Sequence, residues 1–179
     1  ATNANSLVAF YTPPGCVQLL DPSVHQDLPR LNAEIQQAMP LSDLGQVEVQ
    51  GSLAAENYRR LFGRSNRPDW CYYFESAELA RQIGDWETVV TLGDEAFQAG
   101  LGPNDKFSSE LLPFIEGYGR LENWKQAASL TEAAYQDIPA LGNTLCQVWE
   151  RLQIDTPASE DQAAALEKIQ TRLSCAQPE

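Results

Sequence analysis

"RQIGDWETVVTLGDEAFQ", residues 81–98, has a counterpart 38 residues later in "GRLENWKQAASLTEAAYQ", residues 119–136. At that offset Trp86 pairs with Trp124, Val89 with Ala127, Ala96 with Ala134 and Phe97 with Tyr135. Upstream, Tyr73 pairs with Leu111, Ala77 with Ile115 and Ala80 with Tyr118. Within each unit, apolar or small residues recur at i, i+3, i+4 and i+7, the period of an amphipathic helix. Each unit therefore reads as two helices joined by a short turn, "GDW" or "ENW", with Asp85 and Asn123 placed to cap the second helix. Gly93, Ala96, Ala127 and Ala134 allow close helix approach. Trp86, Phe97, Tyr118, Trp124 and Tyr135 are the expected structural aromatics of the repeat. Both tryptophans are expected to be buried against the first helix of their own unit, Trp86 near Ala80 and Ile83, Trp124 near Tyr118 and Leu121.

A third hairpin is expected from "LGNTLCQVWERLQ" and "SEDQAAALEKIQTRLSC", its second helix starting at Thr156-Pro157 and its polar face suited to ending a stack. These units resemble the tetratricopeptide repeat (TPR), a helical-hairpin array. The second matches well, with Tyr118, Ala127, Ala134 and a closing Pro139. The first departs, with Ala80 in the Tyr position and a loop, "AGLGPNDKF", about four residues too long for a 34-residue period.

The first fifty residues read differently. "SLVAFYTPPGCVQLLDP" suggests strand, turn, strand, with Pro14-Gly15 central in a type II turn where Gly15 takes a positive φ. Leu28, Leu31, Ile35 and Ala38 then form a helical stripe, with Asp27 as N-cap and Pro29 in the first turn. "QVEVQ", residues 46–50, alternates like a third strand. The expected organisation is a small α+β element over 1–50, a connecting arm over 51–69, and TPR-like hairpins over 70–179. The fold class is mainly α, about three stacked hairpins with a small β-hairpin-bearing N-terminal element.

The formal net charge of −13 argues against nucleic acid or an anionic membrane surface as partner, since both select a basic footprint. Residues 1–70 carry 5 basic and 7 acidic groups, residues 71–179 carry 7 and 18, a split that supports a boundary near residue 70. No apolar run approaches the roughly 20 residues of a membrane span. The only methionine is Met39, and "ATNANSLVAF" has no signal-type apolar segment, so a processed protein or a piece of a longer one is expected. Cys16, Cys71, Cys146 and Cys175 allow three complete pairings. If the last hairpin turns near Asp155, Cys146 faces residue 164 and Cys175 lies roughly 16 Å further on, too far for a bridge unless the helix breaks. A full two-bridge framework is therefore not expected; an isolated bridge and free buried thiols both remain open.

Signatures of chemistry fail in turn. His25, in "DPSVHQDLP", is the only histidine and reads as an incidental surface-loop residue, which excludes His-based zinc sites and leaves a Ser-His arrangement without support. P-loop, GxSxG and GxGxxG patterns are absent. Glu75, Glu78, Asp94, Glu95 and Glu116 fall at helical spacings and read as a solvated face. Two groups merit attention as ligand or interface candidates. In "DWCYYFE", Trp70 and Tyr73 share a helix side while Tyr72 points elsewhere; the plain reading is a wedge at the junction, the functional one a stacking site for sugar or peptide. Arg59, Arg60 and Arg64, with Arg67, read either as a solvated arm pairing with acidic helices or as a contact for phosphate or carboxylate. No catalytic, cofactor-binding or metal-ligating residue is assigned.

"FYTPPGCVQLLDP", "WCYYFESAELARQIGDWETVVTLGDEAF", "PND" and "LLPFIEGYGRLENWKQA" together resemble the soluble C-terminal region of large bacterial multispanning membrane proteins of the glycosyltransferase kind. The resemblance implies an extracytoplasmic domain, periplasmic or at the cell surface, attached to the membrane only through an upstream span. The transferase site would lie in the membrane part, so no catalytic residue carries over. The expected function is a non-catalytic scaffold for a protein or peptide partner, without cofactor; the alternative is a module that binds a carbohydrate or lipid-linked sugar for that membrane enzyme.

Overall fold

The computed structural model describes residues 6–47 and 68–175. The chain opens with a two-stranded antiparallel hairpin, β1 (Ala9–Phe10) and β2 (Gln18–Leu19), in register Ala9↔Leu19 and Phe10↔Gln18. Short helices α1 (Pro22–His25) and α2 (Ala33–Ala38) follow. Then come six longer helices in three antiparallel hairpins: α3 (Trp70–Gln82) with α4 (Trp86–Gln98), α5 (Leu112–Arg120) with α6 (Trp124–Asp137), and α7 (Gly142–Asp155) with α8 (Glu160–Leu173). The molecule is mainly helical with a small sheet. First helices pack on one another, α3 on α5 and α5 on α7, and α6 packs on α8.

The 38-residue repeat survives down to single hydrogen bonds. Asp85 accepts from Thr88 N at 3.1 Å and Asn123 from Gln126 N at 3.3 Å, satisfying a free donor at each helix start. Asp85 N donates to Ala80 O and Asn123 N to Tyr118 O, 38 residues apart. Gly84 and Glu122 occupy the same left-handed position, with φ of 72° and 60°. Between the first two hairpins lies a 3₁₀ segment, Asp105–Leu111, that buries Phe107 and whose Ser108 hydroxyl donates to Asp137.

Several expectations are corrected. The hairpin turn is Thr12–Gly15, closed by Gly15 N donating to Thr12 O at 2.9 Å around a cis Pro13-Pro14 bond, and Gly15 does not take a positive φ. Glycine is required there for space, because a Cβ would overlap the Phe107 ring. No helix starts at Asp27. Asp21 caps α1 with Pro22 in its first turn, and Asn32 caps α2 by accepting from Ile35 N. Asp27 instead binds α7, its carbonyl accepting from Thr144 and its carboxylate from Gln147. The third strand is not formed at Gln46 and Val47, which end a 3₁₀ turn, Leu44–Gln46; residues 48–50 and the arm to residue 67 lie outside the described residues. α8 starts at Glu160, because Ser159 rather than Thr156-Pro157 supplies the cap.

Both disulfides are present, Cys16–Cys71 and Cys146–Cys175, with Cα separations of 5.1 and 5.7 Å. The expectation against the second fails for two reasons. The last hairpin turns at 156–159, so Cys146 faces residues further along α8 than a turn at Asp155 would bring. Ser174, at φ 56°, then ends the helix and folds Cys175 back.

One apolar core runs from Leu20, Leu28 and Met39 through α3, α5 and α7 to Ile169 and Leu173. The two tryptophans are not equivalent in it. Trp124 is 5% exposed and lies against Trp149, ring centroids 6.2 Å apart. Trp86 is half-buried, with the Arg120 guanidinium 4.9 Å from its ring centre. Ile83 and Leu121, their expected neighbours, are both exposed. Trp124→Ala is expected to cost about 3–5 kcal/mol and Trp86→Ala about 2 kcal/mol or less, read as shifts in urea midpoint; equal losses would contradict this asymmetry. Replacing Cys16 and Cys71 by serine opens a closure spanning 55 residues and is expected to lower stability by about 4 kcal/mol. An unchanged melt would show that the bridge does not constrain the unfolded chain.

Candidate functional site

The densest chemistry lies where the N-terminal element meets α3, α5 and α7. Asp21 caps α1, accepting from the Ser23 backbone N–H and hydroxyl at 2.9 and 2.6 Å. His25 closes the same turn, its Nδ1 accepting from Asp21 N at 2.9 Å. With Nδ1 an acceptor, the neutral ring carries its proton on Nε2, which lies 3.2 Å from the Gln18 amide and 3.8 Å from Glu78 Oε2. Glu78 Oε2 also accepts from Arg81 at 2.9 Å, and Arg81 approaches Asp21 at 3.8 Å. A second layer centres on Glu116, which meets Arg120 at 3.3 Å and Arg151 at 3.4 Å; Arg120 continues to Asp155 at 2.7 Å.

His25 is fully buried rather than in a surface loop, because its ring completes the α1 cap and fills space beside Gln18. Glu78 and Glu116, expected on a solvated face, are 5% and 4% exposed. Each is neutralised by an arginine of its own helix, at i+3 and i+4, which lets that face turn inward. Glu75, Asp94 and Glu95 are exposed as expected. A sequence signal for the buried pairs exists: Glu78 lies between the apolar-face positions Ala77 and Ala80, with Arg81 three residues on, and Glu116 between Ile115 and Tyr118. Among buried side-chain atoms without a hydrogen-bond partner are Glu78 Oε1, Arg81 Nε and Arg151 Nη2.

Burial holds the His25 imidazole below its ordinary 6.5; Glu78 and Asp21 oppose that depression, while Arg81 and Arg151 add to it. Glu110, also buried, accepts from Cys16 N at 2.7 Å and Trp70 Nε1 at 2.6 Å, tying three segments together; burial raises its pKa. The Tyr118 hydroxyl donates to Asp94, and burial together with that carboxylate raises its pKa.

Of the aromatic candidates, Trp70 is half-buried, stacked on Phe97 at 6.2 Å and tilted against Phe114 at 5.5 Å. Tyr73 is buried, and Tyr72 is 53% exposed, edge-on to Tyr73. Tyr118 is buried; Phe97 and Tyr135 are half-buried, the latter with Arg172 over its ring. Arg59, Arg60 and Arg64 lie outside the described residues. Two open grooves are of interest, the first beside the charged seam. One, of about 570 Å³, runs between β2 and α3 and is lined by Val17, Leu19, Glu75, Glu78, Leu79 and Gln82. The other, of about 870 Å³, lies between α6 and α8 beside Trp124, Lys125 and Lys168. Sequence reading missed both, since each depends on which helices become neighbours. Among the described residues no group of three or more His, Cys, Asp or Glu side chains is placed to hold a metal ion. The chain matches no protein family, no curated protein and no solved structure.

The buried histidine makes a pH prediction. Because the folded pKa is depressed, the unfolded chain takes up a proton on acidification before the folded chain does. Stability is therefore full above about pH 6.5 and falls as the pH drops toward the lower folded pKa. His25→Gln should remove this slope below about pH 6.5. Parallel melts of parent and variant over that window would show His25 to be uninvolved.

Proposed function

We propose that this chain is a non-catalytic interaction domain, TPR-like in its stacking and extracytoplasmic in location, belonging to a membrane protein of the bacterial glycosyltransferase kind. The observation that carries the reading is the pair of hairpins with identical turn hydrogen bonds 38 residues apart, followed by a third that packs alongside. Repeated hairpins of this sort present extended surfaces to polypeptide partners. The two disulfides support an oxidising compartment. Among the described residues no helix is long and apolar enough to cross a membrane, which fits attachment through another part of the protein.

The buried titratable groups support the non-catalytic reading. His25, Glu78 and Glu116 are engaged in caps and ion pairs that join elements. A second reading, a module for carbohydrate or lipid-linked sugar, is favoured by Tyr72, an exposed aromatic ring one helical turn from the Glu75 carboxylate.

Cross-linking the protein in its native membrane, followed by mass spectrometry, tests the first reading. Reproducible links from Lys106, Lys125 or Lys168 to another polypeptide are expected, and their complete absence counts against it. Binding of a glycan that Tyr72→Ala abolishes would favour the second reading. Nucleotide-sugar turnover by the isolated chain, abolished by a point substitution, would overturn both.

A further inference from the structure

Strand β2 carries a polar residue on its buried side and apolar residues on its outer side. In "CVQLL", Gln18 faces inward to the His25 ring, while Val17, 46% exposed, and half-buried Leu19 face outward. These two apolar side chains form one wall of the groove of about 570 Å³; Glu75, Glu78, Leu79 and Gln82 of α3 form the other. On α3, Tyr72, Glu75, Leu79 and Gln82 are spaced at i, i+3, i+7 and i+10, a single helix face. Glu78 borders that face at the groove's inner end. Its Oε2 is held by Arg81, but its Oε1 is buried without a hydrogen-bond partner. Glu75, though exposed, accepts from Val17 N at 3.2 Å, and partial desolvation raises its pKa.

An apolar trough with two carboxylates, one of them incompletely paired, does not suit a neutral apolar side chain. Such a ligand would leave Glu78 Oε1 unpaired and desolvate Glu75 further. It suits a side chain with an apolar stem and a cationic head. We infer that the β2–α3 groove is the docking site for an arginine side chain of a partner polypeptide, its stem lying along Val17, Leu19 and Leu79 and its guanidinium reaching the Glu75 and Glu78 carboxylates. A planar guanidinium can donate to both carboxylates at once. Tyr72, exposed one helical turn before Glu75 on the same face, offers an aromatic ring of the kind that attracts a cation. The chain's net charge of −13 favours the approach of such a partner. The inference rests on the reading of the chain as an interaction domain and names the partner chemistry.

The test is a titration of the intact, oxidised chain with the blocked tripeptide acetyl-Leu-Arg-Leu-amide, followed by amide chemical shifts. The same peptide carrying citrulline, the neutral isostere of arginine, is the control. The expected result is saturable shifts at Val17, Leu19, Glu75 and Leu79, with the citrulline peptide at least tenfold weaker. Glu75→Gln, which keeps an acceptor for Val17 N, should weaken binding about tenfold. Val17→Lys, at an exposed position, should abolish it by placing a tethered ammonium in the groove. Glu78→Gln is less informative because Glu78 also holds Arg81. Equal shifts from both peptides, shifts confined to other surfaces, or parent-like binding by Glu75→Gln would overturn the inference. If the peptide fails while native cross-links to a partner persist, the groove assignment is wrong and the interaction reading stands.

Discussion

Glu78 and Glu116 are buried carboxylates on neighbouring helices, and much of the architecture depends on how they are neutralised. A lone carboxylate in a low-dielectric interior is costly, and removing one member of a buried pair leaves an uncompensated charge. Here Arg81 serves Glu78 from the next turn of α3, while Arg120 from α5 and Arg151 from α7 meet at Glu116. Because Arg151 arrives from the third hairpin, Glu116 fixes how α5 and α7 lie together. On the other side, Glu78 and Arg81 face His25 and Asp21, which fixes where the N-terminal element sits. Two neighbouring groups of charges thus orient segments that the apolar core alone would hold with less directional preference.

The N-terminal element cannot stand without this docking. Strands of two residues and helices of four and six are too short to be stable in isolation. Their order comes from Leu20, Leu28 and Met39 in the shared core, from the Cys16–Cys71 bridge, and from Glu110 receiving Cys16 N and Trp70 Nε1 together. The docked element covers parts of α3 and α7, with Asp27 accepting from Thr144 and Gln147. The outer face of β2, with Val17 and Leu19, is part of the surface the element contributes, together with exposed Leu7, Tyr11 and Leu41.

What could be read from the sequence was local and periodic. The turns before Trp86 and Trp124, their caps at Asp85 and Asn123, and the helical spacing of the residues that follow involve near neighbours, so their physics is written in consecutive residues. The N-terminal pattern misled because Leu28 and Leu31 match a helical stripe, yet they are buried from a turn that precedes the Asn32 cap. The charged seam was hidden for a different reason. Periodicity treats Glu and Arg as outward-facing, whereas Glu78 and Glu116 turn inward once paired with arginines. The second disulfide was misjudged through a few residues' error in placing the last turn, which translates into several ångströms along a helix.

The tryptophans show why a repeat in sequence need not repeat in energy. Each follows a cap at the start of a second helix, and its partner comes from the first helix of the next hairpin: Arg120 of α5 for Trp86, Trp149 of α7 for Trp124. The indole therefore joins one unit to the next. Its burial is set by what the next unit supplies, an arginine that keeps contact with Asp155 in one case and a fully enclosed ring in the other. The third hairpin has the cap, Ser159, but the following residue is exposed Glu160, and among the described residues no helix follows α8. A position that serves the junction between units carries an indole where a junction exists and a solvated carboxylate where none is described. On the outer side of α8, Glu160, Glu167 and Lys168 are exposed, and Lys168 reaches back to Glu132 of α6.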